Sequence, residues 1–161
     1  MYDSTIVTLV SYIKSAIPNL EVFNANFEFK EPDNYSSLYI LNITPTAPHE
    51  NWVKQEQLND DIKAFTYKET SYINVRVDFR GENASANMAI FKSSFVKEIQ
   101  KELLKEAGFG YLGLTAISPL NSLRDSKSKF GMTTTLKLIS SSLVVDESQI
   151  IKETELTVST I

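Results

Sequence analysis

The chain contains no cysteine. Disulfides, thiol catalysis and every zinc or iron–sulfur site built on thiolates are therefore excluded. Histidine and tryptophan occur once each, as His49 and Trp52. His49 lies between Pro48 and Glu50, with no nucleophile motif around it, so it reads as a solvated loop residue and not as a catalytic base. Only carboxylates then remain as metal ligands. The pairs Asp60-Asp61 and Asp146-Glu147 are adjacent, unlike the spaced oxygen ligands of a calcium loop, so neither a metal nor a cofactor is expected. Apolar runs are short, far from the roughly 18 residues of a membrane span. Met1-Tyr2-Asp3-Ser4-Thr5 lacks the positive start of a signal peptide, and the expectation is a soluble chain made in the cytoplasm with no membrane partner. A basic excess is missing too: 16 Lys and Arg stand against 20 Asp and Glu, for a net charge of −4. The longest charged cluster, Lys97 to Glu106, alternates in sign like a solvated helix face. Sequence-specific DNA binding is not expected from such a pattern.

What is present is ordinary globular composition, 42% hydrophobic and 22% charged. At roughly 150 residues per domain, the length predicts a single domain over residues 1–161. Ile6, Leu9, Val10, Ile13 and Ile17 recur at helical spacing behind a cap at Asp3 or Ser4, and Pro18 ends that helix. Phe23, Ala25, Phe27 and Phe29 alternate with polar residues, predicting a strand that turns at Glu31-Pro32-Asp33-Asn34. Leu38–Thr44 reads as a strand apolar on both sides, hence central or covered on its second face. Residues 45–61 read as the one long irregular connection, with a short helix possible near Trp52–Leu58. Ile73, Val75, Val77 and Phe79 then alternate cleanly with Asn74, Arg76, Asp78 and Arg80, and Gly81 closes the strand. Asn83 caps a helix whose stripe is Ala84, Met88, Phe91, Phe95, Ile99 and Leu103, with Gly108 at its left-handed end. Tyr111–Ile117 is a strand, Leu120–Phe130 a polar, basic loop, and Met132–Val145 a long strand. Glu153–Ile161 alternates as a final edge strand or as an arm that pairs with a neighbouring subunit. Runs of strands between two helices indicate an α+β fold, a mainly antiparallel sheet with two helices packed on it.

Motifs with chemistry are scarce. Gly108-Phe109-Gly110-Tyr111-Leu112-Gly113 matches the dinucleotide fingerprint literally, but it follows a helix and opens a strand, the inverse of the required context. Pro45-Thr46-Ala47-Pro48 reads as the extended start of a loop. Arg76, Asp78 and Arg80 share one strand face without a nucleophile, which suits cross-strand pairing or an interface rim. Arg124 and Lys127, with Lys129, make the most basic short loop. Trp52 is an amphipathic ring outside the expected core, as at subunit interfaces. Leu156 and Val158 share one side of the C-terminal alternation. These eight residues, Trp52, Arg76, Asp78, Arg80, Arg124, Lys127, Leu156 and Val158, are the candidate interface. No catalytic residue is assigned.

The stretch Ile73-Asn74-Val75-Arg76-Val77-Asp78-Phe79-Arg80-Gly81, running directly into the helix from Asn83, resembles the bacteriophage neck or tail terminator proteins. The N-terminal helix, the strand pair after it and Ser118-Pro119-Leu120 before Met132 are similar to the same layout. Asp78 and Gly81 match that family's pattern, whereas Arg80 stands where another residue is more usual. The resemblance implies a structural virion protein of the neck or tail, not an enzyme. It would form a ring, commonly of six copies, between the tail tube and the head connector proteins, with DNA only in transit. The alternative is a small adaptor that binds a partner through residues 45–61; a cofactor-free enzyme using carboxylates is a third class with no specific feature in its favour.

Overall fold

A computed structural model describes residues 2–45, 52–58, 62–124 and 127–149. The fold is α+β, with a seven-stranded sheet and three helices among the described residues. Helix α1 (Tyr2–Ala16) is followed by β1 (Glu21–Asn24), β2 (Tyr35–Pro45), β3 (Trp52–Gln57) and the long β4 (Ile62–Arg80). Helices α2 (Ala84–Ser94) and α3 (Glu98–Glu106) come next, then β5 (Phe109–Leu114), β6 (Ser118–Arg124) and β7 (Lys127–Gln149). The sheet order is β1-β2-β4-β7-β5, with β3 added on β4 and β6 on β7. β3–β4, β5–β7 and β6–β7 pair antiparallel, whereas β1–β2 is parallel.

The chain divides into two compact units, Met1–Thr44 with Ser71–Ser140, and Pro45–Thr70 with Ser141–Ile161. The first holds the core. Ile6, Leu9, Tyr12 and Ile13 of α1 pack with Met88 and Phe91 of α2 and with Ile73, Val75, Val77 and Phe79 of β4. Leu136 and Leu138 extend this face into β7. Tyr12 sits in it edge-on to Phe91 and stacked on Phe95, and its hydroxyl meets Ser94 Oγ at 2.7 Å. That partner satisfies a phenol whose burial pushes its pKa up to about 12. The second unit consists of strand segments among its described residues. Its described side chains are half-buried or exposed apart from Ala64.

Several local expectations give way to tertiary structure. The aromatic alternation at 23–29 is no continuous strand. Asn24 Oδ1 accepts from Asn26 N at 3.1 Å and Asn24 O from Phe27 N at 3.1 Å, so the chain turns after β1. Phe29 folds back onto Phe23, ring on ring at 4.1 Å. β2 is central as expected, between β1 and β4, but its second face is not covered along its length, since Tyr39 and Leu41 are exposed. Within the expected loop at 45–61, residues 52–57 form β3, a strand and not a helix, because β4 supplies backbone partners from Lys63 to Tyr67.

The single helix expected from Asn83 is two. Ser93 Oγ and Ser94 Oγ donate to the carbonyls of Ile90 and Phe91, competing with the ladder at the point where α2 stops. The break at Phe95–Lys97 rotates the stripe, so Leu104 is buried while Ile99 lies 72% exposed. Asn83 makes no side-chain cap; its backbone N–H donates to Asn34 Oδ1 instead. Gly81 ends β4 at φ 105°, where a Cβ would strike Asp33 O at 2.1 Å, so no other residue fits. The basic stretch after Ser118 is also strand: β6 pairs with β7 from Ser118↔Thr133 out to Arg124↔Lys127, and Pro119 is tolerated on an outer strand.

Candidate functional site

The helices cover one face of β4, and the alternation of a strand sends Arg76, Asp78 and Arg80 to the other. Arg76 Nε donates to Asp78 Oδ1 at 3.0 Å, and Thr133 Oγ1 of β7 donates to the same oxygen at 2.5 Å. Asp78 is buried at 8% exposure, so these two donors replace the water its carboxylate has lost. The Arg76 side chain remains 41% exposed and is held by its Nε to the strand face. Arg80 lies over β7, where Gly131 leaves room: a Cβ there would sit 2.8 Å from Arg80 Cδ.

These residues form one side of an open groove of about 730 Å³. Ser37 and Tyr39 of β2 continue its floor, and the segment after β1 supplies the opposite wall with Phe27, Glu28, Phe29 and Glu31. That wall is stiffened by an aromatic triad, with Tyr35 edge-on to Phe23 at 6.0 Å and to Phe29 at 5.5 Å. Asn26 Nδ2 ties the turn to the Tyr2 hydroxyl. Phe27 stands 70% exposed at the rim. The groove thus combines fixed charges, one buried carboxylate held by two donors, and exposed rings. Among the described residues, no group of three or more His, Asp or Glu is placed to hold a metal. Also among them, no helix is long and apolar enough to cross a membrane.

Of the candidate interface residues, Arg76, Asp78 and Arg80 come together here. Arg124 and Lys127 are backbone partners in the β6–β7 register, and their side chains lie outside what the structure describes. Trp52 opens β3, paired with Tyr67 next to a register shift, in the other compact unit. Leu156 and Val158, with the rest of the C-terminal alternation, lie outside the described residues, as does His49. Thr133, Phe27, Phe29, Glu28 and Glu31 were not legible as site residues. Thr133 carries no local signal, because only the β4–β7 neighbourhood makes it a partner of Asp78. The two phenylalanines are masked by an alternation that mimics a strand.

Of the fingerprint-like glycines at 108–113, Gly108 at φ 84° is the left-handed end after α3, and Gly110 and Gly113 lie within β5. A smaller cleft of about 350 Å³ lies beside them, between Lys92, Tyr111 and Thr115. Comparison with known proteins finds no family model that matches the chain, and no curated protein sequence that matches it either.

Proposed function

We propose that the chain is a structural subunit of a bacteriophage neck or tail, a terminator that assembles into a ring, of six copies, joining the tail tube to the head connector. The observation that carries this reading is the division of labour along β4 and β7. These strands of 19 and 23 residues leave the helix-backed core and continue into a unit of strand segments whose only buried described side chain is Ala64. Ordinary strands run to about 5–6 residues. Strands more than three times that length offer pairing and packing surface to neighbouring copies, which supports an assembled role.

Two further features support it. The order of elements, with Val77-Asp78-Phe79-Arg80-Gly81 running into a helix, is the layout on which the resemblance rests. The net charge of −4 per chain would place −24 on a six-membered ring. Such a ring repels nucleic acid phosphate and lets DNA pass without holding it, within the roughly 8 Å reach of charge at physiological salt.

Native mass spectrometry over a concentration series, with imaging of purified particles, tests the proposal. A closed ring whose population rises with concentration, and the chain in virions at the head–tail junction, are expected. A monomer at every concentration together with absence from virions would sink it.

A further inference from the structure

The sheet order ends on β5, and β5 and β6 each pair with β7 alone among the described residues. Every second residue of such an edge strand turns its N–H and C=O away from the sheet, a template for a further strand. Edges are ordinarily blunted by charge, proline or a bulge. β6 carries Pro119, but Phe109–Leu114 has neither proline nor charge, and no charged residue occurs between Glu106 and Arg124. The one irregularity of β5 is a register shift between Tyr111 and Gly113, which leaves Leu112 outside the register with β7. The bulged residue is thus an exposed leucine and no gatekeeper.

The helix side of this edge is apolar with a single cation. Phe95 stacks on Tyr111 at 4.2 Å, and α3 packs against β5. Val96, next in the chain at the break between α2 and α3, stands exposed. Where β5 ends, Tyr111, Leu114 and Ile117 line the cleft of about 350 Å³, room for one large aliphatic side chain, and Lys92 of α2 closes its other side. Lys92 is exposed, and no carboxylate among the described residues pairs with it. At about 3.3 Å per residue the edge is roughly 20 Å long, and with a layer about 10 Å deep it offers a strip of roughly 200 Å². Two folded partners need about 800 Å² each, so the strip by itself is too small to hold a second copy. A single added strand draws its affinity from main-chain hydrogen bonds and needs only the strip.

We propose that the edge of β5 receives one extended segment of another polypeptide as an antiparallel strand, with an acidic residue at Lys92 and an apolar side chain in the cleft. Antiparallel addition brings the start of that segment to the Leu114 end of β5, so the acidic residue leads. Side chains on one face recur at every second position, so the residue that fills the cleft stands two places after the acidic one. Main-chain bonds to Phe109–Leu114 give the affinity; the cleft and Lys92 fix register and direction. The contact does not rest on the ring reading, since it uses an edge of the helix-backed unit and a partner other than a copy.

The probe is an acetylated, amidated peptide of about eight residues: glutamate first, then leucine and valines at every second position, with threonine between them. Added to the full chain, it is expected to slow amide hydrogen exchange at alternate residues of Phe109–Leu114 and to leave β1, at the opposite end of the sheet order, unchanged. N-methylation of alternate peptide residues should abolish binding on one edge of the peptide and leave it intact on the other, a readout that needs no variant of the protein. By fluorescence anisotropy of a labelled peptide, Lys92→Glu should weaken binding about fivefold, and a peptide with lysine in place of its glutamate should recover that loss. Leu112→Lys, which places a gatekeeper on the edge, should weaken it about tenfold or more. Thermal unfolding checks that both variants fold. No protection at β5 with millimolar peptide, or binding indifferent to which edge is methylated, would overturn the proposal. Protection that rises with protein concentration in the absence of peptide would assign the edge to a second copy. Protection already complete in the dilute chain would show the edge closed from within, and either result overturns the occupant named here. None of these outcomes decides ring closure, which native mass spectrometry reads separately.

Discussion

The two faces of β4 obey different rules although their residues alternate along one strand. Ile73, Val75, Val77 and Phe79 are fully buried beneath the helices. Tyr72, Asn74 and Arg76 between them keep contact with solvent, and Asp78 alone is buried, through its two hydrogen bonds. One face is held by area removed from water, which scales with side-chain size and tolerates no hole. The other is held by a few directional bonds whose loss can be partly repaired by water. Stability belongs to the first face; the second is left open to solvent.

The sharpest test of that division is Phe91→Ala on the helix side. Phe91 is fully buried between Tyr12, Phe79 and Phe95, so a loss of about 3–5 kcal/mol is expected from urea unfolding. Asp78→Ala should come second, at about 1–3 kcal/mol, because Arg76 and Thr133 lose a shared acceptor but lie close enough to solvent to rehydrate. If Asp78→Ala cost as much as Phe91→Ala, the open face would be structural and the division would fail.

Tyr12→Phe removes one buried hydroxyl bond and should cost about 0.5–1.5 kcal/mol at neutral pH. It also sharpens the picture through pH. The Tyr12 pKa is raised by burial from the ordinary 10.0 to about 12, so the folded state keeps its proton where the unfolded chain releases it. The stability this group contributes is whole below pH 10 and is lost as pH rises toward 12. Melting temperatures measured from pH 9 to 12 should therefore fall more steeply for the native chain than for Tyr12→Phe; parallel curves would show that the phenol is not desolvated. The smallest effect is expected at Tyr39→Ser, within about 0.5 kcal/mol for an isolated copy. A larger drop in a demonstrated monomer would mean that the groove is filled from within.

Where burial alone decides, the sequence was readable. The stripe at Ile6–Ile17 and the alternation at Ile73–Phe79 are periodicities imposed by one apolar environment, and both faces lie in the core. Legibility ends where two signals compete. Phe23 to Phe29 alternates, yet an Asx turn at Asn24 and ring stacking outweigh strand propensity over so short a stretch. Residues 118–124 look like loop because Pro119 and the basic residues suggest it, but β7 offers a ladder along their whole length. Of the groove, Arg76, Asp78 and Arg80 could be placed on one face from spacing; Thr133, 55 residues from Asp78, could not.

The placement of β7 between β4 and β5 has a consequence for how the chain is made. Both neighbours leave the ribosome before the strand that joins them. From Arg80 to Leu138, at about 5–20 residues per second, β4 waits on the order of 3–12 s with one edge unpaired. In that interval its fully apolar side has α1 to shelter it, and α2 as soon as that helix emerges, but its backbone on the β7 side has only water. Crowding of nascent chains on one message would favour strand exchange at that edge. Slow translation upstream of Lys127 should therefore lower soluble yield, and a rapid run through β7 should raise it, without any change in the protein that finally folds.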